Sequence, residues 1–182
     1  VFFICVDVEA DGPTPLINSM IEIGAVVVHR PANKTMYEIG ATFLGSMAPL
    51  PNHVSRNDAL EAIGRSRAEI EGYPRASLTM EKFNSWVQHV TPEGVRRPSF
   101  VSDNAGFDWQ FVNAYFHYYI GSNPFGFSSL SLTSFYKGLR ADFKQSFKKY
   151  RITKHTHSAV DDAMGNAEAL CTILNSYSIR GV

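Results

Sequence analysis

The sequence predicts an α/β fold, a mixed sheet flanked by helices, on three observations. β-rich runs follow one another at the start of the chain, helical periods and a further β run alternate through its middle, and an amphipathic helix closes it. With 182 residues, 45% of them hydrophobic and 19% charged, the chain has the size and composition of one globular domain, expected to span residues 1–182.

Residues 2–8 are apolar and β-branched and pass through carboxylates into Asp11-Gly12-Pro13, the pattern of a buried strand entering a loop. Residues 20–30 and 35–44 are two more β-rich runs, and the polar break Pro31-Ala32-Asn33-Lys34 predicts an antiparallel hairpin. Residues 45–74 mix prolines, glycines and scattered charges, which reads as a long connection covering the site, with a short helix at 57–63. Over Ala76–Val90 the apolar residues Phe83, Trp86, Val87 and Val90 recur at i, i+3, i+4 and i+7, an amphipathic stripe that Pro92 ends. Residues 98–102 read as a strand, 108–120 as an aromatic-rich helix and 130–139 as a short helix, with room for one more short strand. Residues 142–154 form a basic connection carrying Lys144, Lys148, Lys149, Arg151 and Lys154. The last helix is expected to start near Asp161, to bury Ala163, Ala167, Leu170, Cys171 and Leu174, and to end before Tyr177.

Composition narrows the function classes. Seventeen basic and seventeen acidic residues give a net charge of zero, which argues against broad coating of nucleic acid and leaves room for a local groove. Cys5 and Cys171 lack zinc or disulfide spacing and read as small buried hydrophobes. The longest apolar runs, 1–6 and 23–28, fall short of the roughly 18 to 20 residues of a membrane span. The start of the chain does not read as a leader, and a cytoplasmic location is the default expectation.

Three places carry chemistry. Asp7 and Glu9, one residue apart on a strand, project to the same side of the pleat and can share a cation. In Asn104-Ala105-Gly106-Phe107-Asp108 a strand gives way to a helix with a carboxylate in its first turn; Asp108 as a helix cap and Asn104 as a turn residue are the bland readings. His157-Ser158-Ala159-Val160-Asp161-Asp162 opens the final helix, where two successive aspartates leave one free to face a metal. Their joint occurrence is what matters: four carboxylates and one histidine are the parts of a two-metal phosphodiester hydrolase. Hard oxygen ligands suit Mg²⁺ or Mn²⁺, two ions about 4 Å apart would stabilise both attacking and leaving oxygens, and an imidazole that titrates near neutrality can take a proton from water.

These three motifs resemble those of the DEDDh exonuclease family, in order and over almost the whole chain. The resemblance implies a ribonuclease H-like fold with a central mixed five-stranded sheet and 3′-to-5′ removal of 5′-mononucleotides. It implies Asp7, Glu9, Asp108 and Asp162 as metal ligands, with Asp161 as a mere neighbour, and His157 as general base. Within the family the chain looks most like small bacterial and phage exoribonucleases, which implies RNA rather than DNA, with a single strand or 3′ overhang as partner. Where many relatives have Thr-Gly and an apolar wedge after the first motif, this chain has Ala10-Asp11-Gly12-Pro13, so Pro13, Leu16 and Met20 are the candidates to wedge the terminal base, each with an equal reading as packing. Phe107 is the aromatic singled out to stack on a base, against a core reading for Trp109 and Phe111. Asn104 is a further substrate contact. The Lys144-to-Lys154 cluster either touches phosphates or is a solvated face, and a homodimer in which it reaches the other subunit's site is carried as an expectation. Two other classes compete: a binding module that kept the fold without catalysis, and a ribonuclease H-like endonuclease, which lacks a histidine so placed.

Overall fold

Strand β1 (Phe2–Ala10) sits mid-sheet, and its period of two sorts its side chains between two cores. Phe2, Ile4, Val6 and Val8 enter one core, while Cys5 enters the other with Phe3 packed against it. Asp7 and Glu9 continue the second set, at the strand's C-terminal end. The computed structural model describes residues 1–179; the one-domain expectation for residues 1–182 therefore includes residues 180–182, which lie outside the described residues.

Antiparallel to β1 runs β2 (Met20–His29), with Asp7 opposite Gly24 and Glu9 opposite Glu22, and β3 (Glu38–Ser46) pairs antiparallel to β2. Parallel to β1 on its other side runs β4 (Ser99–Ser102), followed by β5 (Ser129–Ser131), giving the order β3-β2-β1-β4-β5. This is the mixed five-stranded sheet that the resemblance implied.

Two short helices, α1 (Asn57–Ala62) and α2 (Arg67–Glu71), lead to α3 (Ala76–Val90). Helices α3 and α4 (Ala105–Tyr119) fill the first core with Met80, Phe83, Phe111, Val112 and Phe116. After α5 (Leu132–Arg140) and a 3₁₀ turn (Phe147–Tyr150), α6 (Ala159–Ser176) covers the second core with Ala163, Ala167, Leu170, Ile173 and Leu174. A Cβ at Gly24 would lie 2.2 Å from the Ala159 carbonyl carbon and oxygen, so the glycine is what lets α6 start directly on the sheet. No helix among the described residues is long and apolar enough to cross a membrane. Cys5 is buried and Cys171 half-buried, both as free thiols.

Element boundaries depart from the sequence reading where a distant residue takes over a backbone group. Strand β3 starts at Glu38 because the Tyr37 N–H and C=O are both bonded to the Asn175 side chain on α6. Helix α6 starts two residues before Asp161 because the buried Glu22 carboxylate accepts the Ala159 N–H at 2.8 Å. Residues 130–131 join β5 rather than a helix, and the Ser131 hydroxyl accepts the Ser134 N–H to begin α5.

Candidate active site

Three elements converge at the C-terminal end of β1. The pleat holds Asp7 and Glu9 on the side facing α6, and α6 supplies Asp162 from its first turn. Oxygens of Asp7, Glu9 and Asp162 all lie within 4.8 Å of one another, a hard-donor set that fits a divalent cation. Asp108 enters from the first turn of α4, and its Oδ1 accepts the Val8 N–H at 3.0 Å, between the two strand carboxylates. The cap reading of Asp108 is thereby replaced: Asn104 holds the N-cap position, and the Asp108 side chain bonds another element altogether. Asp161 turns away to accept the Thr156 hydroxyl at 3.0 Å, which leaves Asp162 as the inward-facing member of the pair.

The carboxylates resist ionisation where they stand. Burial, then the charges of Asp108, Glu9 and Asp162, push Asp7 well above the usual carboxylate range. Burial, then Asp162 and Glu22, raise Glu9 to about 8, and burial raises Asp108 to about 7. A divalent cation held by Asp7, Glu9 and Asp162 would reverse that preference and keep the carboxylates ionised.

One positive charge is built in. Arg151 places Nη2 2.7 Å from Asp162 Oδ1, and its side chain is 9% exposed. Its guanidinium lies against Gly165 of α6, where a Cβ would meet Arg151 Nε at 2.3 Å. His155 Nδ1 also lies 2.7 Å from Asp162 Oδ1, and the His157 N–H donates to Oδ2 at 3.1 Å. Asp162 is thus oriented by three groups that come from the eleven residues before it.

His157 occupies the left-handed backbone region at φ 57°, two residues before the start of α6. Its ring Nδ1 stands 3.9 Å from Glu9 Oε1, and the side chain is 44% exposed, so the imidazole faces the open side of the carboxylate cluster. Beside it lies a cavity of about 420 Å³ lined by Glu9, Gly12, Pro13, Phe107 and His157, with Ala59 and Ala62 of α1 and Ile63 just after it as the facing wall.

The candidate substrate contacts divide. Pro13 and Phe107 line the cavity, and Asn104 is exposed at the start of α4. Leu16 is 84% exposed yet lines a different groove, with Pro15, Leu50 and Tyr118. Met20 is corrected: it is fully buried in the first core, its N–H bonded to the Tyr115 hydroxyl, so it does not reach a base. Phe111 is core and Trp109 packs edge-on against Phe100. Sequence reasoning missed Arg151 and His155 as partners of Asp162, Glu22 as the anchor of α6, and α1 as a cavity wall.

The RNase T family model, described as an exonuclease, matches residues 4–170. The chain is 32% identical over 181 aligned positions to the 3′-5′ DNA exonuclease Cap18 of Escherichia coli, covering 91% of this chain and 88% of that one. Among solved structures it resembles the nuclease domain of 3′hExo, a DEDDh family member bound to rAMP, at a TM-score of 0.75 and 16% identity over 96% of this chain and 92% of that one. It also resembles the zinc-bound E. coli ExoI–ssDNA complex, at a TM-score of 0.70 and 14% identity, covering 98% of this chain and 41% of the other.

Proposed function

The chain belongs to the RNase T exonuclease family, as a DEDDh 3′-5′ exonuclease of the ribonuclease H-like superfamily, and from that premise we propose that Asp7, Glu9, Asp108 and Asp162 bind two divalent ions, Mg²⁺ or Mn²⁺, with His157 as general base. The observation that carries this is the meeting of Asp7, Glu9 and Asp162 within 4.8 Å, with His157 3.9 Å from Glu9 and the apolar cavity alongside. Bound divalent ions would neutralise charge on the phosphate and make a water molecule more acidic. His157, open to solvent above the carboxylates, receives the proton of the attacking water. Phe107, Pro13 and the α1 wall hold the terminal base, and Asn104, exposed at the N-cap of α4 three residues before Phe107, offers an amide to the substrate. One bond is cut per event, between the 3′ oxygen of the penultimate nucleotide and the terminal phosphorus, and the product is a 5′-mononucleotide.

DNA is the substrate we favour, because the relative aligned over 91% of the chain is a DNA exonuclease. The RNA preference implied by the resemblance competes in the same assay. Matched DNA and RNA single strands, labelled at either end, are incubated with Mg²⁺. Loss of a 3′ label as mononucleotide, with a 5′-labelled ladder and faster decay of DNA, supports the reading, and Asp7→Ala is expected to be inert. An intact wild-type substrate, or equal cutting of a circular strand, would refute it; faster decay of RNA would refute the DNA preference alone.

A further inference from the structure

Seven of the seventeen Lys and Arg residues fall between positions 137 and 154, where Asp142 is the one acid, in a chain whose formal charge is zero. The rest of the molecule is therefore net acidic, and one ribbon of it is strongly basic. That ribbon is tied to the candidate active site. Lys148 Nζ lies 3.5 Å from Asp103, which joins β4 to the start of α4, and Arg151 reaches Asp162. The Ile152 and Thr153 N–H groups and the Thr153 hydroxyl are pinned to α6 by the Glu168 carboxylate at 2.7 to 2.9 Å. Because β1, β4 and β5 are parallel, their C-terminal ends share one edge of the sheet, and the ribbon crosses the same edge as the carboxylates.

A cavity of about 310 Å³ opens in the ribbon, walled by Lys137, Lys144 and Lys148 and by Phe143. Lys137 and Lys144 have no carboxylate partner among the described residues. Phe143 is 89% exposed and belongs to neither large core, so packing does not account for a ring left in water beside three ammonium groups.

We propose that this ribbon is the track for the single-stranded nucleic acid upstream of the scissile bond, its phosphates held by Lys137 and Lys144 and one of its bases stacked on Phe143. The occupant rests on the exonuclease reading above, which the track extends to nucleotides beyond the terminal one. Charge selects a polyanion, and an open aromatic face among lysines selects one whose charges alternate with flat rings. Arg151 ties the ribbon to its own chain's Asp162, so the track and the carboxylates it leads to belong to the same copy of the chain.

The test pairs binding with turnover. Anisotropy of a labelled thymidylate strand of roughly twenty nucleotides is followed in EDTA across a salt series, and trimming of that strand and of a thymidylate dinucleotide is followed with Mg²⁺. The double variant K137Q/K144Q is expected to bind about tenfold more weakly, with a log–log salt slope shallower by about 1.4, two phosphates at about 0.7 each. Phe143→Ala is expected to weaken binding about fivefold with the slope unchanged, since stacking carries no counterion release. Both variants should raise KM for the long strand and leave dinucleotide cleavage as it was. Unchanged affinity and slope in K137Q/K144Q overturn the track, as does an equal loss on the dinucleotide. If the wild-type chain cuts neither substrate while binding still responds to the substitutions, the exonuclease reading falls and the track stands.

Discussion

Asp108 and Asp162 occupy matching positions, each in the first turn of a helix aimed at the same carboxylate cluster, and they are held in opposite ways. Asp108 is fixed by an uncharged backbone donor, the Val8 N–H, and burial lifts it to about 7. Asp162 is more deeply buried and carries its own counter-charge in the Arg151 guanidinium at 2.7 Å, with His155 Nδ1 at 2.7 Å from the same oxygen. The comparison teaches that one side of the site is neutralised by the protein itself and the other is left for something else to neutralise.

The largest break in that symmetry is expected from the two asparagine variants. Both should abolish nuclease activity, but Asp162→Asn leaves the Arg151 guanidinium buried without its anion and should destabilise the metal-free chain by about 3 to 5 kcal/mol. Asp108→Asn removes a carboxyl that burial already disfavours as an anion, so its metal-free stability at pH 8 should equal or exceed wild type. Urea unfolding of the two variants in EDTA reads the difference, and equal losses would erase the distinction drawn here. Next in size, His157→Ala should lower kcat by about 10² to 10⁴ while Mn²⁺ affinity stays near wild type; a parallel fall in both would make His157 a ligand rather than a base.

A pH series sharpens the same contrast. Glu9 and Asp108 keep their protons to about 8 and about 7, above the ordinary 4.5 and 3.8, so the native chain binds more protons than the unfolded chain between those limits. Metal-free stability should therefore fall as pH rises from about 4 to about 8. Saturating Mg²⁺ is expected to flatten that slope, and the thermal midpoint in EDTA and in Mg²⁺ at each pH checks it. The smallest effect is steric: Gly165→Ala pushes the guanidinium off Asp162 and should lose about 1 to 3 kcal/mol.

How much of this was legible in the sequence depended on the range of the interaction. Asp7 and Glu9 were readable as a same-side pair because a strand alternates every residue, and Asp162 was separable from Asp161 once the motif was matched. Helix α3 was readable to the residue from its apolar stripe. Helix α2 was missed although Ser66 and Glu69 stand at capping distance, and the Ser66 hydroxyl does accept the Glu69 N–H; the signal was there in a stretch dismissed as irregular. Arg151 was not legible, since in sequence it is one more cation in a basic run, and only the bend that carries that run back to α6 gives it Asp162. Glu22 was hidden in the same way: its role appears only when strand register sets it opposite Glu9 and beneath Ala159. Met20 opens β2 as the β-rich run predicts, but the sequence does not say which face it takes, and in the fold it points into the first core rather than toward the site.

Asp7, Glu9 and Asp162, with oxygens within 4.8 Å of one another, are the proposed cation pocket on which the function rests. Its most direct test is a crystal of the wild-type chain soaked in Mn²⁺ and measured for anomalous scattering. An anomalous peak coordinated by oxygens of these three residues, absent from a Glu9→Gln crystal, is the expected result. A well-ordered site with no peak between them, or a peak held only by other residues, would contradict it.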